Sequence, residues 1–166
     1  MSLRRITGLI LGSMALAACA GPTTAASQQH ATQRWITATG LGGSITSIQH
    51  TMATIERLVA DPTSNPNDRQ TVCSVLLLGV QQANGDLPAS GDTVLSSLLA
   101  AAYSDLGAAA TSCGSSGFAP TQIAAFEGKR HQGLAALSQA AARAESLMGH
   151  PLSTSTTNPS DPGSAA

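Results

Sequence analysis

LGGSITSIQHTMATIERLV, residues 41–59, is the stretch that decides the fold. Its large apolar side chains are Leu41, Ile45, Ile48, Met52, Ile55 and Val59, spaced alternately by four and three positions. That spacing holds all six on one face of an α-helix, whereas a half-buried strand would need apolar residues at every second position. Asp61-Pro62 ends the run, because the residue before a proline is pushed out of the helical region. Upstream, Gly40, Gly42 and Gly43 crowd one turn, and each costs about 1 kcal/mol relative to alanine inside a helix. A kink or break is expected there, with Arg34 to Thr39 helical before it and Ser44 capping the restart.

Three further segments carry the same period. After Asn65-Pro66, with Asn67 or Asp68 as cap, the face Val72, Val75, Leu76, Gly79, Val80 and Ala83 runs to Asn84-Gly85. After Leu87-Pro88, a helix started by Ser90 or Asp92 carries Leu95, Leu98, Leu99, Ala102, Leu106, Ala109 and Cys113. Beyond the Gly/Ser turn at 114–117, Pro120 stands at a favoured first position. The stripe that follows is Ile123, Phe126, Leu134, Leu137, Ala141, Ala144 and Met148. Gly149 then suits a left-handed C-terminal residue, and Pro151 blocks continuation. Four amphipathic helices on short turns predict an all-α, antiparallel up-down four-helix bundle over residues 33–149.

Composition narrows the function classes. Only 10% of the 166 residues are charged and the formal net charge is -1, so no basic surface exists to attract a nucleic acid. The hydrophobic share of 42% argues against charge-rich disorder, while 2% aromatic content predicts a thin, alanine-rich core.

The N-terminus supplies an address. Arg4 and Arg5 precede an apolar run from Ile6 to Ala18, too short to span a bilayer and suited to a secretory signal. It ends in Leu16-Ala17-Ala18-Cys19, which resembles the lipobox of bacterial lipoproteins: a branched apolar residue, two small ones, then cysteine. The resemblance covers the first twenty or so residues only. It implies cleavage of residues 1–18, a diacylglycerol thioether on Cys19 and acylation of the new amino group. Two or three buried chains then hold the protein stably to membrane lipid. Residues 19–32, rich in Thr, Ala, Ser and Gln, are expected to form a flexible tether, and residues 150–166 a disordered tail. In a Gram-negative cell, Ala20 resembles the class sorted to the outer membrane, facing the periplasm.

With Cys19 assigned to lipid, Cys73 and Cys113 remain in a disulfide-permissive compartment. Cys73 lies one to two turns into the second predicted helix and Cys113 closes the third, so antiparallel packing puts both at one end of the bundle. A structural disulfide is expected; a redox or metal pair would call for C-x-x-C or an adjacent histidine.

Candidates for chemistry are few. His30 falls in the expected tether and His150 beyond the last helix. His50 lies opposite the stripe that holds Met52, so the two cannot address one ligand. On the fourth helix Arg130 falls near the middle of the stripe, flanked by Glu127, with His131 at its boundary. A charge there must snorkel, pair or line a polar recess, and Asp105 is a further candidate partner. Glu127, Arg130 and His131 therefore form the candidate ligand or partner patch. No di-iron Glu-x-x-His pair, haem-attachment motif, nucleophile elbow or phosphate-binding glycine loop is present in the sequence. A non-enzymatic, cofactor-free envelope module that binds another envelope protein is expected, similar in size and layout to small helical pilot lipoproteins. The alternative is a small-ligand or metal-binding bundle using the patch.

Overall fold

Gly40 divides what the apolar spacing nearly joins. The computed structural model describes residues 25–61, 63–85, 87, 90–114 and 120–153. The predicted signal 1–18 with Leu16, Ala17 and Ala18, the anchor residue Cys19 and the tail from 154 onward lie outside the described residues. Among the described residues there are five α-helices and no strand. They are α1 (Ala25–Ala38), α2 (Leu41–Ala60), α3 (Pro66–Gly85), α4 (Thr93–Gly114) and α5 (Pro120–Met148). The described part of the chain is all-helical, with one helix more than the four expected.

The added helix reflects how the break is made. Gly40 takes the left-handed conformation, φ 60°, and caps α2 with no side-chain bond. The helix therefore restarts at Leu41 rather than Ser44, and Gly42 and Gly43 are buried in its first turn. Gly42 has a specific reason to be glycine: a Cβ there would stand 2.2 Å from the Ser153 carbonyl oxygen. The chain leaving α5 thus crosses the start of α2 in backbone contact, and Leu152 packs half-buried against the core. The expected tail boundary at 150 moves accordingly, since residues up to 153 belong to the folded body.

The expected tether boundary moves as well. Ala25 to Thr32 are helical, and Thr32 and Ile36 are buried on the inner face of α1. Alanine and glutamine favour a helix, but the segment lacks the large apolar stripe that marks one in the sequence, and tertiary contacts hold it in place. Gln29 Nε2 and Gln33 Nε2 donate to the Leu147 carbonyl at 3.4 and 2.7 Å. That carbonyl belongs to the last turn of α5, which lacks intrahelical donors. Two glutamines one turn apart thereby satisfy another helix's end.

Local caps set the other boundaries. Asn65, not Asn67 or Asp68, opens α3: its Oδ1 accepts the Asn67 N–H at 3.0 Å, and Pro66 occupies the first helical position. Asp92 opens α4 by accepting the Leu95 N–H at 2.7 Å. Gly149, φ 75°, closes α5 as expected, with its N–H on the Glu145 carbonyl at 2.8 Å.

The helices pack most extensively as α4 on α5, then α3 on α4, then α2 on α3. Neighbours run antiparallel where side chains report it. Lys129 meets Asp105 while Arg143, further along α5, meets Asp92 at the start of α4. Cys73, early in α3, and Cys113, late in α4, stand at disulfide distance with Cα atoms 6.0 Å apart, both buried.

Two predicted faces turn. On α3 the inward residues are Cys73, Leu76 and Val80, while Val75 and Gly79, expected inside, face solvent. On α5 the buried residues are Phe126, Gly133, Leu137, Ala140 and Ala144, with Ile123, Leu134, Ala141 and Met148 only half-buried. The helix is rotated toward its small residues because Leu106 of α4 presses into Gly133. A Cβ on Gly133 would lie 2.6 Å from Leu106 Cγ and 3.1 Å from its backbone nitrogen.

Gly133→Ala should therefore destabilise by about 1–3 kcal/mol through overpacking, against its gain in helix propensity. Gly128→Ala, on the same helix with nothing within 4 Å of the added carbon, should stabilise by about 0.5–1 kcal/mol. Urea unfolding of the two variants distinguishes contact from propensity, and a matching sign would refute the close approach. Replacing Cys73 and Cys113 together by alanine should cost about 4 kcal/mol in the chain-entropy account of a forty-residue loop. An unchanged denaturation midpoint would mean that the pair is not bridged.

Candidate functional site

Arg130 sits at the edge of the α5 stripe rather than at its middle, a direct result of the helix's rotation. Its side chain is 24% exposed and spans the seam between α5 and α2. Nε and Nη2 both donate to Glu127 Oε2, at 3.0 and 2.7 Å, one turn back on the same helix. Nη1 donates across the seam to Glu56 Oε1 of α2. The expected Arg130–Glu127 pair forms, and Glu56 completes it. Sequence spacing had no means of finding Glu56, because its 74-residue separation is bridged only by helix packing.

The rest of the expected patch disperses. His131 faces solvent and takes no part in the pairing. Asp105, the other candidate partner for Arg130, is held by Lys129 at 2.8 Å, and Lys129 also donates to Gln132 Oε1 at 3.2 Å. Arg130 is thus matched by two carboxylates that both reach water, which suits an inter-helix tie better than a receptor for an outside anion. His50 is exposed and Met52 buried, on opposite faces of α2. Among the described residues no group of three His, Cys, Asp or Glu side chains could hold a metal ion.

A second polar constellation lies where α1 crosses the start of α4 and the end of α5. Gly91, φ 73°, turns the chain into Asp92, whose carboxylate does two tasks. Oδ1 caps the Leu95 N–H, and Oδ2 accepts from Arg143 Nη2 at 2.8 Å. Ser90, fully buried, shares a hydrogen bond with Ser96, and the hydroxyl that accepts in that bond donates to the Asp92 carbonyl, which lies within reach of both. The Arg143 hydrogen bond is the main cause that holds the Asp92 carboxyl below its ordinary value of 3.8, with the Leu95 N–H adding to it against the effect of burial. Beside this cap a recess of about 220 Å³ is lined by Gln28, Gln29, Thr32, Asp92 and Arg143. It is smaller than the ~300–1,000 Å³ usual for organic ligands, and its charges are already paired.

Among the described residues, exposed large apolar side chains are few. Val75 and Leu78, 56% and 66% exposed, stand three residues apart on the outer face of α3, and Val94 lies separately at the start of α4. Helix α4 is long and apolar enough to cross a membrane by composition, yet its inner face is core to the bundle.

Because the Asp92 pKa is lowered in the folded state, its stabilisation is present above the ordinary carboxylate range. It is lost as pH falls through the lowered value, in a window below about 4. Asp92→Asn keeps a capping oxygen but loses the charge, so it should flatten the loss of stability in that window. Asp92→Ala removes the cap too and should cost about 1–2 kcal/mol at neutral pH. Thermal unfolding from neutral pH to pH 2 checks both, and a pH profile unchanged in Asp92→Asn would remove Asp92 as the acid-sensitive group. No protein-family model, curated protein or solved structure matches the chain, so the chemistry of these sites stands on the side chains themselves.

Proposed function

We propose that this protein is an exported bacterial lipoprotein, anchored through Cys19, whose helical domain is a non-enzymatic protein-binding or assembly module of the cell envelope. The observation that carries the reading is the sequence Leu16-Ala17-Ala18-Cys19 at the end of a basic-then-apolar leader. In this reading α2 to α5 make an up-down four-helix bundle and α1 folds across one end of it.

Three features support the proposal. The buried Cys73–Cys113 pair at disulfide distance suits an oxidising compartment. The guanidinium groups of Arg130 and Arg143 are both engaged by carboxylates that tie one helix to another, which suits a rigid module. Val75 and Leu78 offer a small apolar ridge on α3 for a partner helix or strand. The alternative, a ligand site built from Glu127, Arg130 and His131, is less favoured because Glu56 and Glu127 already occupy the guanidinium.

Metabolic labelling with an alkyne fatty acid, followed by membrane fractionation, tests the anchor. Wild-type protein should label and sediment with membranes, and Cys19→Ser should do neither; an unlabelled wild type would overturn the assignment. A photo-crosslinking residue placed at position 78 of the anchored protein should capture a discrete envelope partner, whereas one at position 131 should not. No adduct specific to position 78 would sink the binding-module half of the proposal.

A further inference from the structure

The start of α1 limits how the domain can sit if Cys19 carries lipid, and this inference rests on that reading. Only residues 20–24 separate Cys19 from Ala25, the first residue of α1. Six chain steps extend at most ~21 Å. Helix α5, with 29 residues, is ~43 Å long at 1.5 Å per residue. A link half the length of the body keeps the α1 end of the domain beside the lipid.

Charge points the same way. No aspartate or glutamate occurs before Glu56, so α1 and most of α2 contain no carboxylate. On α1, His30 and Arg34 are one turn apart, share a face and are both exposed. The opposite face is fixed to the bundle by buried Thr32 and Ile36, and on the flank between them the Gln29 and Gln33 amides donate to the Leu147 carbonyl. Of the nearby carboxylates, Asp92 is paired with Arg143, while exposed Glu145 keeps its charge and accepts the Leu152 N–H at 3.3 Å. We propose that α1 lies on the surface of the anchoring bilayer with its His30–Arg34 face against anionic phospholipid headgroups. Because α1 is clamped to α5, orienting this one helix orients the whole domain.

Trp35 is the chain's single tryptophan and lies on α1, so its fluorescence reports on this helix alone. The full lipidated chain, reconstituted into phosphatidylcholine vesicles with and without phosphatidylglycerol, is followed by flotation and by quenching of Trp35 with headgroup-labelled nitroxide lipid. Wild-type protein should float with both vesicles and be quenched more strongly on the anionic ones. Arg34→Gln should still float, with the docked equilibrium reduced roughly fivefold, the weight of one basic residue at an anionic surface. Arg57→Gln, the same charge change in the last turn of α2, should leave quenching as in wild type. Protein that floats with Trp35 unquenched overturns the docking, and quenching insensitive to Arg34→Gln overturns the assigned face. Failure to float removes the anchor reading and this inference with it.

Discussion

The contact of Leu106 with Gly133 sets the geometry on which the other helices depend. Two phenylalanines, one tyrosine and one tryptophan cannot fill the space between five helices, so the helices must approach closely. Dispersion contacts are lost steeply with distance, and alanine gives good packing only when backbones are near. Ala102, Ala109 and Ala110 on α4 and Ala140 and Ala144 on α5 are all buried to within 2% of full burial. The absent side chain at Gly133 is what lets α4 and α5 come together. Once that contact is made, the rotation of α5 is set, and its three principal cations fall where partners exist: Lys129 on Asp105, Arg130 on Glu56 and Glu127, Arg143 on Asp92.

The two ends of the bundle are closed by different means. At one end the link between α3 and α4 is the buried Cys73–Cys113 pair. At the other, polar groups do the joining: Asp92 caps α4 while holding Arg143, and Gln29 and Gln33 occupy a terminal carbonyl of α5. These polar side chains have their hydrogen-bonding capacity directed at backbone ends and at one another.

The sequence was most informative where large apolar residues keep strict time. Leu41, Ile45, Ile48, Met52 and Ile55 are all buried, and the position of the cysteines followed from antiparallel order. It misled where glycine and alanine define a face, because their burial leaves no hydropathic mark; hence the misplaced rotation of α5 and the inward placement of Gly79. It was silent on α1, whose Ser/Thr/Gln-rich sequence reads as linker until the Leu147 carbonyl is there to receive its glutamines. Leu152 and Glu56 were invisible for the same reason, since each acts on a helix distant in sequence. Of the candidate patch, the local pair Glu127–Arg130 was legible from its spacing, while the exposure of His131 depended on the turn of the helix.

The docking of α1 also changes what a lipid anchor at Cys19 would do mechanically. A thirteen-residue flexible link would let the domain tumble, and any partner-binding face would sample all directions. With α1 folded onto α5, only residues 20–24 separate Cys19 from the helix that belongs to the folded body. The outer face of α3, with Val75 and Leu78, belongs to a rigid body whose α3 is tied to α4 by the cysteine pair and whose α4 is seated on α5. Fixing α1 at the bilayer therefore fixes the height and heading of that apolar ridge. A partner held in the same membrane would meet it with much of the orientational cost of association already removed. Under the proposed anchoring, a ridge as small as Val75 and Leu78 would gain from both molecules being confined to one surface.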